Sequence, residues 1–318
     1  MTRSDLAPGF ILVSFCNIKH QGAPRLALFD PGSGRLTHVC LPDALHQARG
    51  ITGLAADEKY IYVATQAAKF NGENGAFLLI FTHKKFSFVS SFRFRHAVDI
   101  HSMCVHHDRL LVVSSGTDEV IELKIDNGTV ASELVFWSAR PGENRCDNRH
   151  LNAICSTPEG ALLCGFGVRS DNLWSSATNG FIFNLDQKQI LVSSLEHPHS
   201  IIHFGSSIAF CESRKCVVRL WGSDIHQTLP GYTRGLCHTG SFLFAATSVG
   251  RRESRSTGQV IENPSAFGEQ CGGCTINQMA PGTLVILKSS RLNTGIQEIY
   301  DMLPIDDITG WPLGSEIA

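Results

Sequence analysis

The apolar residues of this chain come in short runs that alternate with turn formers. Examples are Tyr60-Ile61-Tyr62-Val63-Ala64, Leu110-Leu111-Val112-Val113 and Ala161-Leu162-Leu163-Cys164. β-Branched and aromatic runs bounded by Gly, Asn and Asp are the signature of strands. Asn127-Gly128, Glu159-Gly160 and Asn179-Gly180 supply turns. No stretch holds a sustained helical period.

One five-residue pattern introduces most sets of runs: variable, polar, small, apolar, small-or-apolar. Its copies are Ile51-Thr52-Gly53-Leu54-Ala55, Ile100-His101-Ser102-Met103-Cys104, Leu151-Asn152-Ala153-Ile154-Cys155, Pro198-His199-Ser200-Ile201-Ile202 and Thr233-Arg234-Gly235-Leu236-Cys237. Ile308-Thr309-Gly310-Trp311-Pro312 reads as a sixth, less regular copy. From Thr52 to His101 is 49 residues, to Asn152 a further 51, to His199 47 and to Arg234 35. Such spacing fits propeller blades of four short antiparallel strands. The expected fold is all-β, a six-bladed β-propeller forming one domain over residues 1–318. Three N-terminal strands, near 10–15, 26–29 and 36–41, lack an inner partner. Residues 307–312 are expected to supply it, so that the first blade is closed by N- and C-terminal strands and no edge is left open.

Inner strands of a propeller line its channel, and the polar column of the pattern stands at one mouth. Packing explains the neighbouring columns, which are small or apolar. It does not explain His101, Asn152, His199 and Arg234. Residues two apart on a strand share a face, which adds Asp99, His150 and His197. The expected catalytic residues are His101, His150, His199 and Tyr232. Arg149, Asn152, Arg234 and Trp174 are expected to bind substrate. Two chemistries fit. Imidazoles with a carboxylate suit a divalent metal such as Zn, Mn or Fe, with His101, His150, His197 and His199 as ligands. Otherwise one His acts as a general base while Arg234 holds an anion. A solitary channel histidine is usually structural, and four together shift that balance.

Long loops fall on the same side, at 66–75, 168–180 and 248–274. The last carries Arg251, Arg252 and Arg255, and is expected either to fold over an anionic substrate as a lid or to be a solvated loop. His83, His106, His107 and His226 sit near expected turns and read as surface residues. The 11 cysteines are scattered. Cys104, Cys155 and Cys237 share one column, as small buried hydrophobes do, which points to a reducing cytoplasm. Cys271-Gly272-Gly273-Cys274 reads as a tight turn or as half of a zinc site. A net charge of −2 argues against nucleic acid as a bulk partner. No apolar stretch is long enough to span a membrane, and residues 1–5 show no signal-peptide core. A protein partner or a homo-oligomer stays open.

His150-Leu151-Asn152, His197-Pro198-His199-Ser200, Arg234-Gly235-Leu236 and Glu298-Ile299-Tyr300-Asp301 resemble a largely bacterial family of conserved hypothetical proteins with a domain of unknown function. The resemblance implies a propeller and a setting near biosynthetic enzymes. It supplies no reaction. Two functions follow as expectations. One is an enzyme, a lyase, hydrolase or isomerase acting on a small anionic metabolite. The other is a non-catalytic scaffold or ligand-binding module.

Overall fold

Each inner strand carries one residue more than its partner, at the polar column or directly after it, and this extra residue organises the whole ring. The computed structural model describes residues 9–18, 23–42, 48–66, 68–70, 73–249, 274–292 and 298–317. Arg251, Arg252, Arg255, Cys271 and nearly all of the expected lid lie outside them. The inner strands are Gly50–Ala56, Ile100–His106, Leu151–Thr157, Pro198–Phe204, Tyr232–Thr239 and Ile299–Ile305. Each opens a separate antiparallel sheet, giving six blades. In the first of them Ile51 pairs with Thr65 and Gly53 with Ala64, so Thr52 is the bulged residue. His101 and Asn152 bulge in the same way. The register also shifts between His199 and Ile201 and between Thr233 and Leu236. β-Bulges bend a strand and re-aim a side chain. Repeated round the ring, they turn the polar column toward the axis.

The small column completes the joints between blades. A bulge leaves backbone N–H groups without a ladder partner, and each buried one needs an acceptor. Ser102 Oγ accepts Ile154 N–H at 3.3 Å, and Ser200 Oγ accepts Gly235 N–H at 3.0 Å. The alternate joints are packed instead. A Cβ on Gly53 would lie 3.1 Å from Met103 Cγ, and one on Gly235 3.3 Å from Met302 Cγ. The apolar column fills the space between sheets in clusters such as Tyr62, Ile80, Met103 and Val112.

The closure differs from the sequence expectation in one strand. The first blade does draw on both ends of the chain, and its sheet runs Ile299–Ile305, Phe10–Phe15, Leu26–Asp30, Arg35–Val39, Leu313–Ile317. Its inner strand is therefore Ile299–Ile305. Residues 307–312 form a turn in which Asp307 caps Thr309 N–H at 2.8 Å. The true sixth copy is Ile299-Tyr300-Asp301-Met302-Leu303. Asp301 occupies the small column, where its carboxylate accepts Leu54 N–H at 3.0 Å. It does for the last joint what Ser102 and Ser200 do for theirs. The second C-terminal strand, Leu313–Ile317, covers the outer edge.

One further expectation needs correction: His106 is buried, with Nδ1 2.9 Å from Ser156 Oγ. The backbone of Arg149 takes part in the joint, its N–H donating to Asp118 and its carbonyl accepting Gly167 N–H, and Arg149 is not among the residues that line the cavity at the mouth. Cys155 and Cys237 are buried free thiols, and Cys104 is partly buried. Cys274 begins a buried strand of the sixth blade. Among the described residues, no helix is long and apolar enough to cross a membrane.

Candidate functional site

A cavity of about 360 Å³ opens where the inner strands begin. Its wall includes His101, His150, His197, His199, Tyr232, Arg234 and Trp174. Asn152 lies on the adjoining channel, about 370 Å³, whose lining shares His101, His199, Arg234 and Tyr300 with the mouth. These four shared residues form the neck between the two spaces. Residues missed from the sequence are Asp147, Phe166, Gln66, Asn17, Glu298 and Tyr300. Asp147 sits in a loop three residues before His150, and that spacing was the available signal. Glu298 and Tyr300 lay inside the motif that carried the family resemblance.

The residues just before three inner strands adopt left-handed backbone: Asp99 with φ 54°, His150 with φ 49° and His197 with φ 53°. Such a conformation costs energy outside glycine, and Asp and His tolerate it better than most. It sets these side chains over the rim. His101 and His150 meet edge to face, with ring centres 4.9 Å apart. His150 leans on Trp174 at 4.5 Å, and Phe166 stacks on His197 at 4.2 Å. The three histidines named as a catalytic set, His101, His150 and His199, therefore share one wall.

Their hydrogen bonds assign the tautomers. A carbonyl or carboxylate oxygen can only accept, so the facing ring nitrogen carries hydrogen. His101 Nδ1 faces Asp99 O at 2.9 Å, and His150 Nδ1 faces Asp147 Oδ2 at 3.0 Å. His199 Nδ1 faces His197 O at 3.0 Å and Ser213 Oγ at 2.7 Å. Ser213 gives its own hydrogen to Thr233 O. All three imidazoles thus keep Nδ1–H and leave Nε2 as a bare acceptor. His197 is different. Its Nε2 donates to Trp174 O at 2.9 Å, so its Nδ1 accepts from Tyr232 Oη at 3.2 Å. Both of its nitrogens are engaged, and the Tyr232 hydroxyl is occupied there.

Burial holds His101, His197 and His199 neutral. The His101 ring is pushed down to about 4 by desolvation, with His150 and Arg234 adding to the effect against the pull of Asp99. Desolvation also lowers His197 to about 4 and takes His199 well below the usual imidazole value, with Arg234 the next cause for His199. Arg234 is 7% exposed, and its guanidinium lies 3.6 Å above the Tyr300 ring. Among the described residues it forms no salt bridge. Asp301 lies in its field, and burial pushes that carboxyl up to about 6 against the pull of Arg234. A buried cation facing the neutral rings of His101 and His199 is incomplete without an anion.

The donor set does not fit the expected metal. Among the described residues, no three His, Cys, Asp or Glu side chains converge to hold an ion. His197, one of the four expected ligands, has no free nitrogen.

The chain belongs to a family described as a domain of unknown function (DUF4915), whose model matches residues 43–310. No functionally curated protein matches its sequence. Among solved structures it is similar to a protein of unknown function from Bacteroides caccae, at 11% identity and TM-score 0.60, covering 95% of this chain and 100% of that one. It is similar to the periplasmic gluconolactonase of Pseudomonas aeruginosa, at 12% identity and TM-score 0.54, over 94% and 100%. It is also similar to a chain of a nidogen–laminin complex, at 11% identity and TM-score 0.62, over 92% and 97%. At such identities the likeness supports the propeller fold and nothing beyond it.

Proposed function

We propose that this propeller is an enzyme that binds a small anionic metabolite at the histidine-lined mouth and moves a proton on it, without a metal. The reaction class is lyase, hydrolase or isomerase. The observation that carries the reading is Arg234, a buried guanidinium with no salt bridge among the described residues, set in a cavity beside three imidazoles with bare Nε2 atoms. Arg234 anchors the anion. His150 is the general base, because Asp147 fixes its tautomer and places negative charge behind a ring gaining a proton at Nε2. His101 and His199 stay neutral and orient the substrate. Trp174 and Phe166 wall off water. A gluconolactonase and a nidogen–laminin component share the architecture, so the fold alone favours neither enzyme nor scaffold. The incomplete charge at Arg234 favours a ligand.

The test is conversion of a pool of small carboxylates and phosphates, read by mass spectrometry. Wild type is expected to consume one acid and form one product, and His150→Gln and Arg234→Met to lose that conversion while staying folded. Equal turnover by His150→Gln would contradict the reading. No change in the pool with wild type, together with loss of partner binding on substitution of the blade rims, would favour the scaffold.

A further inference from the structure

The mouth and the channel on either side of the neck carry more unsatisfied hydrogen-bonding capacity than an anion alone would fill. Thr52 Oγ1 and Asn152 Nδ2 have no hydrogen-bond partner, and their residues are 1% and 2% exposed. Buried polar groups without partners are uncommon and expensive, costing about 1–3 kcal/mol each. Both stand at bulged positions of the ring that holds His101, His199 and Arg234. Thr52 lines the mouth and Asn152 the channel beyond it.

Sorting the ring by hydrogen-bond sense gives two sets. Arg234 and Asn152 Nδ2 can only donate. The Nε2 atoms of His101, His150 and His199 can only accept, since each Nδ1 holds the ring hydrogen. The Thr52 hydroxyl can do either. A bare carboxylate, or the dianion of a phosphate monoester, satisfies the donors and offers nothing to three imidazoles. An apolar acid leaves the same acceptors empty. The complement is a ligand with an acidic group and O–H donors close beside it.

We propose that the mouth of this propeller binds a hydroxylated acid, its anionic oxygens taken by Arg234 and Asn152 and its hydroxyls donating to the Nε2 atoms of His199 and His101. The inference rests on reading the cavity as an anion site and deepens it. A volume of about 360 Å³ is at the small end of ligand pockets, so the ligand is a short chain or a single ring. The acid is a carboxylate or a phosphate, which use the same donors.

Calorimetric titration with two matched pairs tests this. Tartrate and succinate differ only in hydroxyls on a dicarboxylate, and glycerol 3-phosphate and propyl phosphate only in hydroxyls on a phosphate monoester. The hydroxylated member of at least one pair is expected to bind at least about tenfold more tightly, and the responding pair names the anion. His199→Phe or His101→Phe should erase that preference while leaving the plain acid bound. Arg234→Met should remove binding of both members. Equal affinity within both pairs, a preference kept by both histidine variants, or no binding of any of the four would overturn the proposal. Equal affinity within the pairs together with loss in Arg234→Met would sink the hydroxyl inference and leave the anion site standing. Proton transfer by His150 is tested separately, by conversion.

Discussion

The Asp147 carboxylate accepts the Nδ1 hydrogen of His150 at 3.0 Å, from three residues upstream on the same loop. Among the described residues no other cavity imidazole faces a carboxylate at hydrogen-bond distance: His101 has Asp99 Oδ1 only at 3.8 Å. This relationship is the reason His150 is the proposed base. Asp147→Asn preserves size and removes the charge. Conversion by that variant is expected to fall by roughly 10²–10⁴-fold in kcat with little change in KM, measured by steady-state kinetics on the acid identified from the pool.

Arg234 is predicted to carry anion binding. A ligand at about 100 times its Kd stabilises the fold by about 2.7 kcal/mol, so thermal melting of wild type should rise with the bound acid. The rise should vanish in Arg234→Met and be much smaller in Arg234→Lys, which lacks the planar fork and the stacking surface over Tyr300. A full shift in Arg234→Met would place the anion elsewhere.

Acid should weaken the fold through His197. Its ring protonates near 4 when folded and near 6.5 when unfolded. Between those values the unfolded chain binds more protons, so this contribution is complete above about pH 6.5 and is lost as pH falls toward 4. The full difference is about 3 kcal/mol. His197→Gln should flatten that part of the profile, as read by urea melts across the window.

Asp301 should act in the opposite sense. Its carboxyl is raised to about 6 in the folded chain from 3.8, so its contribution is complete below about pH 4 and is lost as pH rises through 6. Wild type should therefore lose stability relative to Asp301→Asn over that interval. A constant difference between the two proteins across pH 4–7 would contradict the buried, charge-penalised carboxyl.

Closure gives a truncation test. Removing Leu313–Ile317 uncovers an outer edge and should lower the melting temperature and promote association. Ending the chain before Ile299 removes an inner strand and should abolish folding, as circular dichroism would report.

Most of this architecture was legible because a bulge needs the same local chemistry every time. A polar residue, a small one and an apolar one are what five of the joints use, and those five were found. The sixth was misplaced because Asp301 is not small. Its joint is made by a carboxylate accepting Leu54 N–H, a solution that hydrophobic patterning does not register. Ile308-Thr309-Gly310 copies the pattern in letters and makes a turn. The histidines were legible as a column. Their division into three bare acceptors and one engaged ring was not, because it depends on Trp174 O, Tyr232 Oη and Ser213 Oγ, which come from other strands and loops. Phe166 left no signal either. It follows an ordinary second strand and matters only because His150, His197 and His199 surround it.

A crystal structure of the protein with the acid that it converts is the most direct measurement. The account predicts the acid's anionic oxygens within hydrogen-bond distance of the Arg234 guanidinium, and a reacting proton position facing His150 Nε2. An acid bound away from Arg234, or with His150 Nε2 turned from it, would contradict the account.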